Sequence, residues 1–338
     1  MKSSTTASAE IDFDREGKQI GFLNLPLSTH EDAWGVVPIP LAVIKNGKGA
    51  TVILEGGNHG DEYEGPIALG ELIRELDPGT IAGRLIIAPA INQPAAVAGR
   101  RTSPVDGLNL NRLFPGDHLG STTSQIAAYM NDVLFPMADA FIDLHSGGSS
   151  SVMIPSAIIE PASDPKQLKR NIDAAVSFGA PMVVVISNRG DPRTATAAAA
   201  RAGLTVVGAE LAGGGTVSIG ALALCRRGIR NVLAHLGVLP PTEARPSQER
   251  PPMYEVVAPT AYVLANETGV FEPFHENGTA VRAGQPAGRI HFLANPGRSP
   301  EILRYQSDGI LYARRQPGQV RPGNVCLVVV SPYKEPAT

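Results

Sequence analysis

Cysteine is scarce in this chain of 338 residues, which contains only Cys225 and Cys326. Two cysteines cannot form the disulfide framework of a small secreted domain or a zinc site built on thiolates. Any metal would have to be bound by histidine and carboxylate side chains. The sequence also has no apolar run near the ~20 residues that span a bilayer, and residues 1–10 lack the apolar core of a signal peptide. We therefore expect a cytoplasmic protein with no membrane partner.

A large excess of charge of one sign is also missing, because 29 basic and 32 acidic side chains give a formal net charge of −3. No run of Lys and Arg is dense enough to follow a phosphate backbone, so nucleic acid is not an expected partner. Apolar residues make up 43% of the chain and charged residues 18%. This composition excludes disordered, coiled-coil and collagen-like chains and indicates a compact globular protein.

Short apolar segments alternate with amphipathic ones from residue 50 onward, a pattern typical of an α/β layered domain. The stretch 241–252 is polar and rich in proline, cannot continue a helix and is interpreted as a linker. We therefore expect a first domain over residues 1–240, with edge strands within 11–44, and a smaller all-β module over 253–338. The predicted strands are 51–55, 84–90, 140–144, 182–186 and 204–210, and the predicted helices are 65–76, 125–134, 167–178 and 217–238.

The stretch GGNHGDEYEG follows the first strong strand and contains His59 and Glu62 three residues apart. Open α/β sheets place their ligand sites at the carboxyl ends of strands. If the backbone turns there, an imidazole nitrogen and a carboxylate can converge on Zn²⁺, which accepts this pair and at a catalytic site keeps one position open. An isolated His-x-x-Glu spacing is weak evidence, so a third ligand must come from another part of the chain.

A second strand end supplies that ligand, since His145 directly follows the apolar strand in AFIDLHSGG. Asp143 lies two residues earlier on the same strand face and is a candidate hydrogen-bond partner for the His145 imidazole. His59, Glu62 and His145 therefore form the predicted ligand set. The other histidines lack such a setting and are expected to be structural or solvated: His30, His118, His235, His275 and His291.

Two further elements carry polar side chains that suit substrate binding and catalysis. Asn111 and Arg112, in DGLNLNRLFPG, supply a neutral amide and a forked guanidinium that suit a carboxylate or a developing oxyanion, although this pair alone is uninformative. Glu210 ends an apolar strand, where partial desolvation would raise its basicity and suit a general base. A buried structural glutamate satisfied by backbone amides is the alternative interpretation of Glu210.

The order of these elements, HxxE, then Asn-Arg, then a strand-terminal His and a strand-terminal Glu, resembles the zinc carboxypeptidase superfamily. More narrowly, it resembles the succinylglutamate desuccinylase/aspartoacylase family, over residues 35–338. The resemblance implies an α/β fold with a mixed sheet flanked by helices and a smaller C-terminal, barrel-sandwich-like β module. It also implies a zinc-dependent amidohydrolase that acts on small N-acyl amino acids with one zinc ion per subunit, and it is compatible with a homodimer.

Carried over by position, the family's functional residues fall on the zinc ligands His59, Glu62 and His145, the substrate pair Asn111 and Arg112, and the catalytic carboxylate Glu210. Aspartoacylases have a further substrate arginine shortly before the Asn-Arg pair. The nearest arginines in this chain lie farther upstream, and Arg101 is the candidate for that role. A second aspartoacylase arginine would fall on Ala200, so its contact is absent or comes from Arg193 or Arg201.

Three stretches resemble most closely the family members that deacetylate Nα-acetyl-L-2,4-diaminobutyrate in ectoine breakdown: GGNHGDEYEGP, RTSPVDGLNLNRLFPGD and GDPRTATAAAARAGLTVVGAELAGGG. The resemblance implies this substrate, with N-acetylaspartate or N-succinylglutamate as the alternative. A carboxypeptidase and a binding protein without chemistry are the other hypotheses. The cationic amine of the expected substrate needs an acceptor, for which Asp61, Glu64 and Asp117 are candidates.

Overall fold

The computed structural model describes residues 5–241 and 250–335, so residues 242–249 of the predicted linker lie outside the described part. The described α-helices are α1 (Glu64–Glu75), α2 (Gln93–Ala98), α3 (Thr122–Tyr129), α4 (Pro165–Phe178), α5 (Ala195–Arg201) and α6 (Ile219–His235). The described strands are β1 (Ser8–Ala9), β2 (Gly17–Pro26), β3 (Val36–Asn46), β4 (Thr51–Gly56), β5 (Gly83–Ala88), β6 (Ala140–His145), β7 (Ser151–Met153), β8 (Ser156–Ile159), β9 (Val183–Val185), β10 (Thr205–Glu210), β11 (Met253–Glu255), β12 (Tyr262–Leu264), β13 (Gly269–Pro273), β14 (Ala280–Val281), β15 (Pro286–His291), β16 (Glu301–Arg304), β17 (Gly309–Arg315), β18 (Gln319–Val320) and β19 (Val325–Pro332).

One large mixed sheet crosses the molecule, with the strand order β1-β2-β3-β5-β4-β6-β10-β8-β9-β11-β19-β17-β14. Its centre is parallel, because β4 pairs in parallel with β5 and β6, and β6 with β10. The carboxyl ends of these strands therefore lie at one edge of the sheet. Beyond them, β8 runs antiparallel to β10 and parallel to β9. The predicted α/β architecture with a mixed sheet is confirmed.

Helices cover both faces of this sheet, because its central strands carry apolar side chains on both sides. In β4, for example, Val52 and Leu54 pack into one core and Ile53 packs into the other. The first core is completed by α1, α4 and α6, and the second by α3, α5 and the inward faces of β2 and β3. No helix in the described ranges is long and apolar enough to cross a membrane.

The C-terminal strands form the predicted β module, in which a small antiparallel sheet of order β16-β15-β13-β18 accompanies β12, β14, β17 and β19. A third apolar core, which includes Phe271, Tyr305 and Leu327, lies within this module. Its strands also extend the large sheet, since β11 pairs with both β9 and β19. We propose a domain boundary near residue 241. The segments before and after this boundary are joined by the hydrogen bonds between β9 and β11.

The predicted elements are present with small shifts of their ends. The helix expected over 125–134 begins earlier, at Thr122, where Ser121 caps it, and changes at Met130–Leu134 into a π-helical turn. The sequence analysis missed α2, α5, β7 and β8. These elements have three to seven residues, which is too short for apolar periodicity to show.

Gly228 offers a test of how α4 and α6 pack. A methyl group added at Gly228 would lie 2.4 Å from ring carbons of Phe178, at the end of α4. Gly→Ala in a helix normally stabilises by ~1 kcal/mol, but overpacking reverses the sign here, so Gly228→Ala should lower the free energy of unfolding by about 1–3 kcal/mol.

Gly220, in the first turn of the same helix, is the matched control, because an added methyl group there would have no neighbour within 4 Å. Gly220→Ala should leave the free energy of unfolding unchanged or raise it by up to ~1 kcal/mol. Urea unfolding measures both variants. Equal stability of the two would contradict the close contact between Gly228 and Phe178.

Candidate active site

Three parallel strands bring residues from distant parts of the chain to one edge of the large sheet. The loop after β4 carries His59 and Glu62, β6 ends at His145, and β10 ends at Glu210. His145 and Glu210 are direct partners in the parallel register of β6 and β10. The sheet thus places these four predicted residues side by side.

The loop between β4 and α1 is held tightly against α2. A side chain at Gly60 would lie 1.9 Å from the carbonyl oxygen of Ala95, so only glycine allows this approach. The Gly60 N–H also donates a hydrogen bond of 2.8 Å to the Arg100 carbonyl. The loop therefore has a fixed path, which points the side chains of His59 and Glu62 toward the end of β6.

The Glu62 carboxylate lies between the two imidazoles. Its Oε1 is 2.8 Å from His59 Nδ1 and its Oε2 is 2.9 Å from His145 Nδ1. The candidate ligand atoms of His59, Glu62 and His145 all lie within 4.8 Å of one another. Two imidazole nitrogens and one carboxylate are the ligand set that Zn²⁺ accepts at a catalytic site, so the residues present fit this ion.

The other ring nitrogens have partners that would fix both imidazoles for metal binding. Asp143 Oδ2 lies 2.9 Å from His145 Nε2, as the sequence predicts, and Asn109 Oδ1 lies 3.2 Å from His59 Nε2. An acceptor on Nε2 leaves the Nδ1 lone pair of each ring free for a cation. The sequence analysis quoted the stretch that contains Asn109 but assigned it no role.

Burial and neighbouring charges shift the pKa values of this cluster in opposite directions. Burial opposes the charged form of His145, but Asp143 and Glu62 outweigh it and raise the pKa of His145 well above its usual value. Burial would likewise raise the pKa of Glu62, yet His59 and His145 hold it well below its usual range. Glu62 is therefore an anion at neutral pH, which suits a metal ligand.

Glu210 differs from Glu62, because burial, with the nearby charge of Glu62, raises its pKa to about 8. Its Oε2 is buried and has no hydrogen-bond partner within the described residues. The alternative of a structural glutamate satisfied by backbone amides is therefore not supported for this oxygen. An unpartnered carboxylate with raised basicity, next to a metal-ligand set, is suited to accepting a proton.

A cavity of about 370 Å³ lies over these residues. Asn111, Arg112 and Arg101 line it together with His59, Glu62, His145 and Glu210. The Asn111 amide oxygen accepts a 2.8 Å hydrogen bond from the Ala195 N–H at the start of α5. Arg101 Nη1 lies 3.4 Å from Glu62 Oε1, and Arg112 Nε lies 3.6 Å from Asp191 Oδ2. All the predicted site residues therefore meet in one cavity.

Other candidates from the sequence do not line this cavity. Arg193 forms an ion pair with Asp191 through two hydrogen bonds, and Arg201 donates a hydrogen bond to the Pro192 carbonyl.

The acidic candidates for binding a substrate amine also have other partners. Asp61 accepts hydrogen bonds from the N–H and the hydroxyl of Ser149. Glu64 accepts one from the Ser218 N–H, and Asp117 accepts one from the Leu119 N–H. Their closeness to the motifs along the chain does not bring their carboxylates into the site.

Several lining residues were not found from the sequence. Glu160 and Thr196 lie on one side of the cavity, and Tyr262, Tyr312 and Val328 of the C-terminal module lie on another. The Tyr312 hydroxyl is 2.6 Å from the Ser156 hydroxyl, which ties the module to β8. Thr196 lies in a stretch quoted for the resemblance but was assigned no role, and the other four positions lie in or beside short strands that no local motif marks.

These features define the class of the protein, an α/β protein with a candidate metal site of two histidines and one glutamate at the carboxyl ends of its parallel strands. Comparison with known proteins identifies the family. Residues 48–236 match the succinylglutamate desuccinylase/aspartoacylase catalytic domain. The chain belongs to this family, as the sequence resemblance predicts.

Individual relatives match almost the whole chain. The N-alpha-acetyl-L-2,4-diaminobutyric acid deacetylase of Halomonas elongata is 42% identical over 323 residues, covering 95% of this chain and 94% of that protein. A crystal structure of a succinylglutamate desuccinylase/aspartoacylase from Rhodobacter sphaeroides is 41% identical, with a TM-score of 0.92 over 97% of this chain and 99% of that one. The product-bound ectoine utilization protein EutE (DoeB) from Ruegeria pomeroyi is 38% identical, with a TM-score of 0.93 and the same coverage.

The metal site can be tested by removing one ligand. The wild-type protein should bind about one Zn²⁺ per chain, and His145→Ala should lose at least ~10-fold in zinc affinity, because two ligands hold the ion less well than three. His235→Ala, at the end of α6 and away from the cavity, should keep wild-type affinity. Competition with a zinc-binding dye measures both variants, and equal affinities would exclude His145 as a ligand.

Proposed function

We propose that this protein is a zinc-dependent deacetylase of N-acetyl amino acids and that its preferred substrate is Nα-acetyl-L-2,4-diaminobutyrate, an intermediate of ectoine breakdown. The observation that carries the proposal is the set of His59, Glu62 and His145 beside the unpartnered Glu210 carboxylate in one cavity. The similarity to the Halomonas elongata deacetylase supports the choice of substrate.

His59 and His145, through their Nδ1 atoms, and the Glu62 carboxylate would hold the zinc ion. When bound, zinc would supply polarisation of the acyl carbonyl and would lower the pKa of water. The partners Asn109 and Asp143 orient the two imidazoles. Arg101, whose Nη1 lies 3.4 Å from Glu62 Oε1, would add positive charge beside these residues, which would stabilise an oxyanion that develops there.

Glu210 is the general base in this proposal. It would accept a proton from the attacking water and then deliver that proton to the nitrogen of the departing amine. A pKa of about 8 is compatible with both transfers, because the carboxylate that accepts the proton and the acid that delivers it are both populated near neutral to slightly alkaline pH. Register pairing with His145 keeps Glu210 beside the metal ligands.

Arg112 and Asn111 would bind the α-carboxylate of the amino acid. A guanidinium can bind a carboxylate through two parallel hydrogen bonds, which fixes its orientation as well as its position. Asn111 is well placed to assist, because its bond to the Ala195 N–H immobilises its side chain. With the carboxylate held there, the acetyl group would lie on the side of the metal ligands.

N-acetylaspartate or N-succinylglutamate is the alternative substrate. Each places an additional carboxylate in the cavity, where its charge needs a basic partner. Arg193 and Arg201 do not line the cavity in the described structure, so the arginines available to an additional carboxylate are Arg101 and Arg112.

A carboxypeptidase is a further alternative. It is disfavoured by the size of the cavity, about 370 Å³, and by the residues of the C-terminal module that form one of its walls.

A substrate panel tests the proposed activity. Acetate release should be fastest from Nα-acetyl-L-2,4-diaminobutyrate, by about 10-fold or more in kcat/KM over its Nγ-acetyl isomer and N-acetylaspartate. A chelator should abolish turnover and added zinc should restore it. Succinate release is followed for N-succinylglutamate. A preference for another substrate would exclude the proposed one, chelator-resistant turnover would exclude metal dependence, and no turnover would favour a binding protein.

Glu210→Gln tests the proposed base. Glutamine keeps the shape of the side chain but cannot accept the proton, so kcat should fall by about 10²–10⁴-fold. The zinc content and the thermal unfolding of the variant should match those of the wild type, because Glu210 is not a metal ligand. Wild-type turnover in this variant would remove Glu210 from the mechanism.

A further inference from the structure

Four acidic side chains line the cavity in the described part of the chain, and three of them have an assigned partner or role. Glu62 lies between the two imidazoles, Asp143 orients His145, and Glu210 is the proposed base. The fourth, Glu160, follows the last residue of β8 and has no part in the mechanism above.

Glu160 is held in a defined position by neutral hydroxyl groups. Its Oε1 accepts a hydrogen bond of 2.8 Å from Thr194 Oγ1 and a second bond from Thr196 Oγ1. Both threonines belong to the start of α5, where Thr194 also caps the helix. The two hydroxyls orient the carboxylate but do not neutralise its charge.

Glu160 forms no ion pair within the described residues, although Arg112 is near enough for the two charges to interact. Arg201 is near enough to affect Glu160 electrostatically, but its guanidinium donates to the Pro192 carbonyl. Burial raises the pKa of Glu160, because the charged form is partly desolvated. A cationic ligand would stabilise the carboxylate in this setting.

The register of β8 and β10 places Glu160 and Glu210 at opposite ends of the same cavity. Ile158 pairs with Gly208 in this antiparallel ladder. Glu210 lies two residues beyond Gly208 and Glu160 lies two residues beyond Ile158, in opposite directions along the sheet. Their backbones are therefore separated by roughly 13 Å, at ~3.3 Å per residue. Both side chains point into the cavity, and Gly208 between them adds no side chain of its own.

We propose that Glu160 binds the cationic side-chain amine of the substrate and so determines specificity for Nα-acetylated diamino acids. The inference rests on the proposed function. With the acetyl group near Glu210 and the α-carboxylate at Arg112, the side chain of the amino acid extends along the sheet toward Glu160. A substrate with an acidic side chain would bring a second negative charge to the same place.

A pair of substrates that differ only in this amine tests the role of Glu160. Glu160→Gln is close to isosteric and keeps an oxygen for Thr194 and Thr196. For Nα-acetyl-L-2,4-diaminobutyrate we expect kcat/KM to fall about 10- to 100-fold, mainly through KM, because a hydrogen bond to a charged group is lost. For Nα-acetyl-L-2-aminobutyrate, which lacks the amine, kcat/KM should change by less than about 3-fold.

Two further variants separate specificity from structure. Thr196→Val removes one of the hydroxyls that position Glu160 and should lower kcat/KM on the diamino substrate by about 2- to 10-fold, with little effect on the other substrate. Glu75→Gln, on the exposed side of α1, removes a charge at a distance from the cavity and should alter neither value. Zinc content and thermal unfolding are measured for every variant.

The outcomes distinguish this inference from the proposed function. If Glu160→Gln lowers turnover of both substrates equally, or of neither, Glu160 does not recognise the amine. If the wild type hydrolyses neither substrate, the proposed function is wrong, and calorimetric titration with 2,4-diaminobutyrate and 2-aminobutyrate decides about Glu160 separately. Preferential binding of the diamino acid that is lost in Glu160→Gln would support the inference, and equal binding of both amino acids would overturn it.

Discussion

Burial of one carboxylate, that of Glu62, is the constraint on which the site depends. Removing an ionised carboxylate from water costs several kcal/mol unless partners replace the lost solvation. Here the partners are the imidazoles of His59 and His145 and the N–H of Ser146, all within 3.0 Å of its oxygens. His145 is 83 residues away along the chain, so Glu62 is satisfied only when β4 and β6 lie side by side.

The same cluster explains why Glu210 is left without a partner. The nearby imidazoles face other groups, since His145 lies between Glu62 and Asp143 and His59 lies between Glu62 and Asn109. Farther into the core, burial and the neighbouring Asp143 raise the pKa of Glu55 well above its usual value, which favours the neutral form of Glu55. The net effect is a site in which one carboxylate is free to react.

The sequence was sufficient to predict the central strands and the residues at their ends, because buried parallel strands have continuous apolar runs and polar residues at a strand end stand out against them. It was insufficient for Glu160. β8 has only four residues and α5 is nearly all alanine, so neither has a periodic pattern. Asp61 and Glu64 are near the motifs along the chain, but hydrogen bonds to Ser149 and Ser218, which are distant in sequence, hold their carboxylates outside the cavity.

The C-terminal strands complete the cavity, since Tyr312 bonds to Ser156 and Val328 of β19 lines the wall. This has a consequence for the order in which the protein is made. A chain emerging from the ribosome contains every predicted metal ligand once residue 145 has been added, whereas the wall formed by Tyr262, Tyr312 and Val328 follows more than a hundred residues later. A nascent chain can therefore acquire the elements that hold the ion well before it has a pocket that selects a substrate.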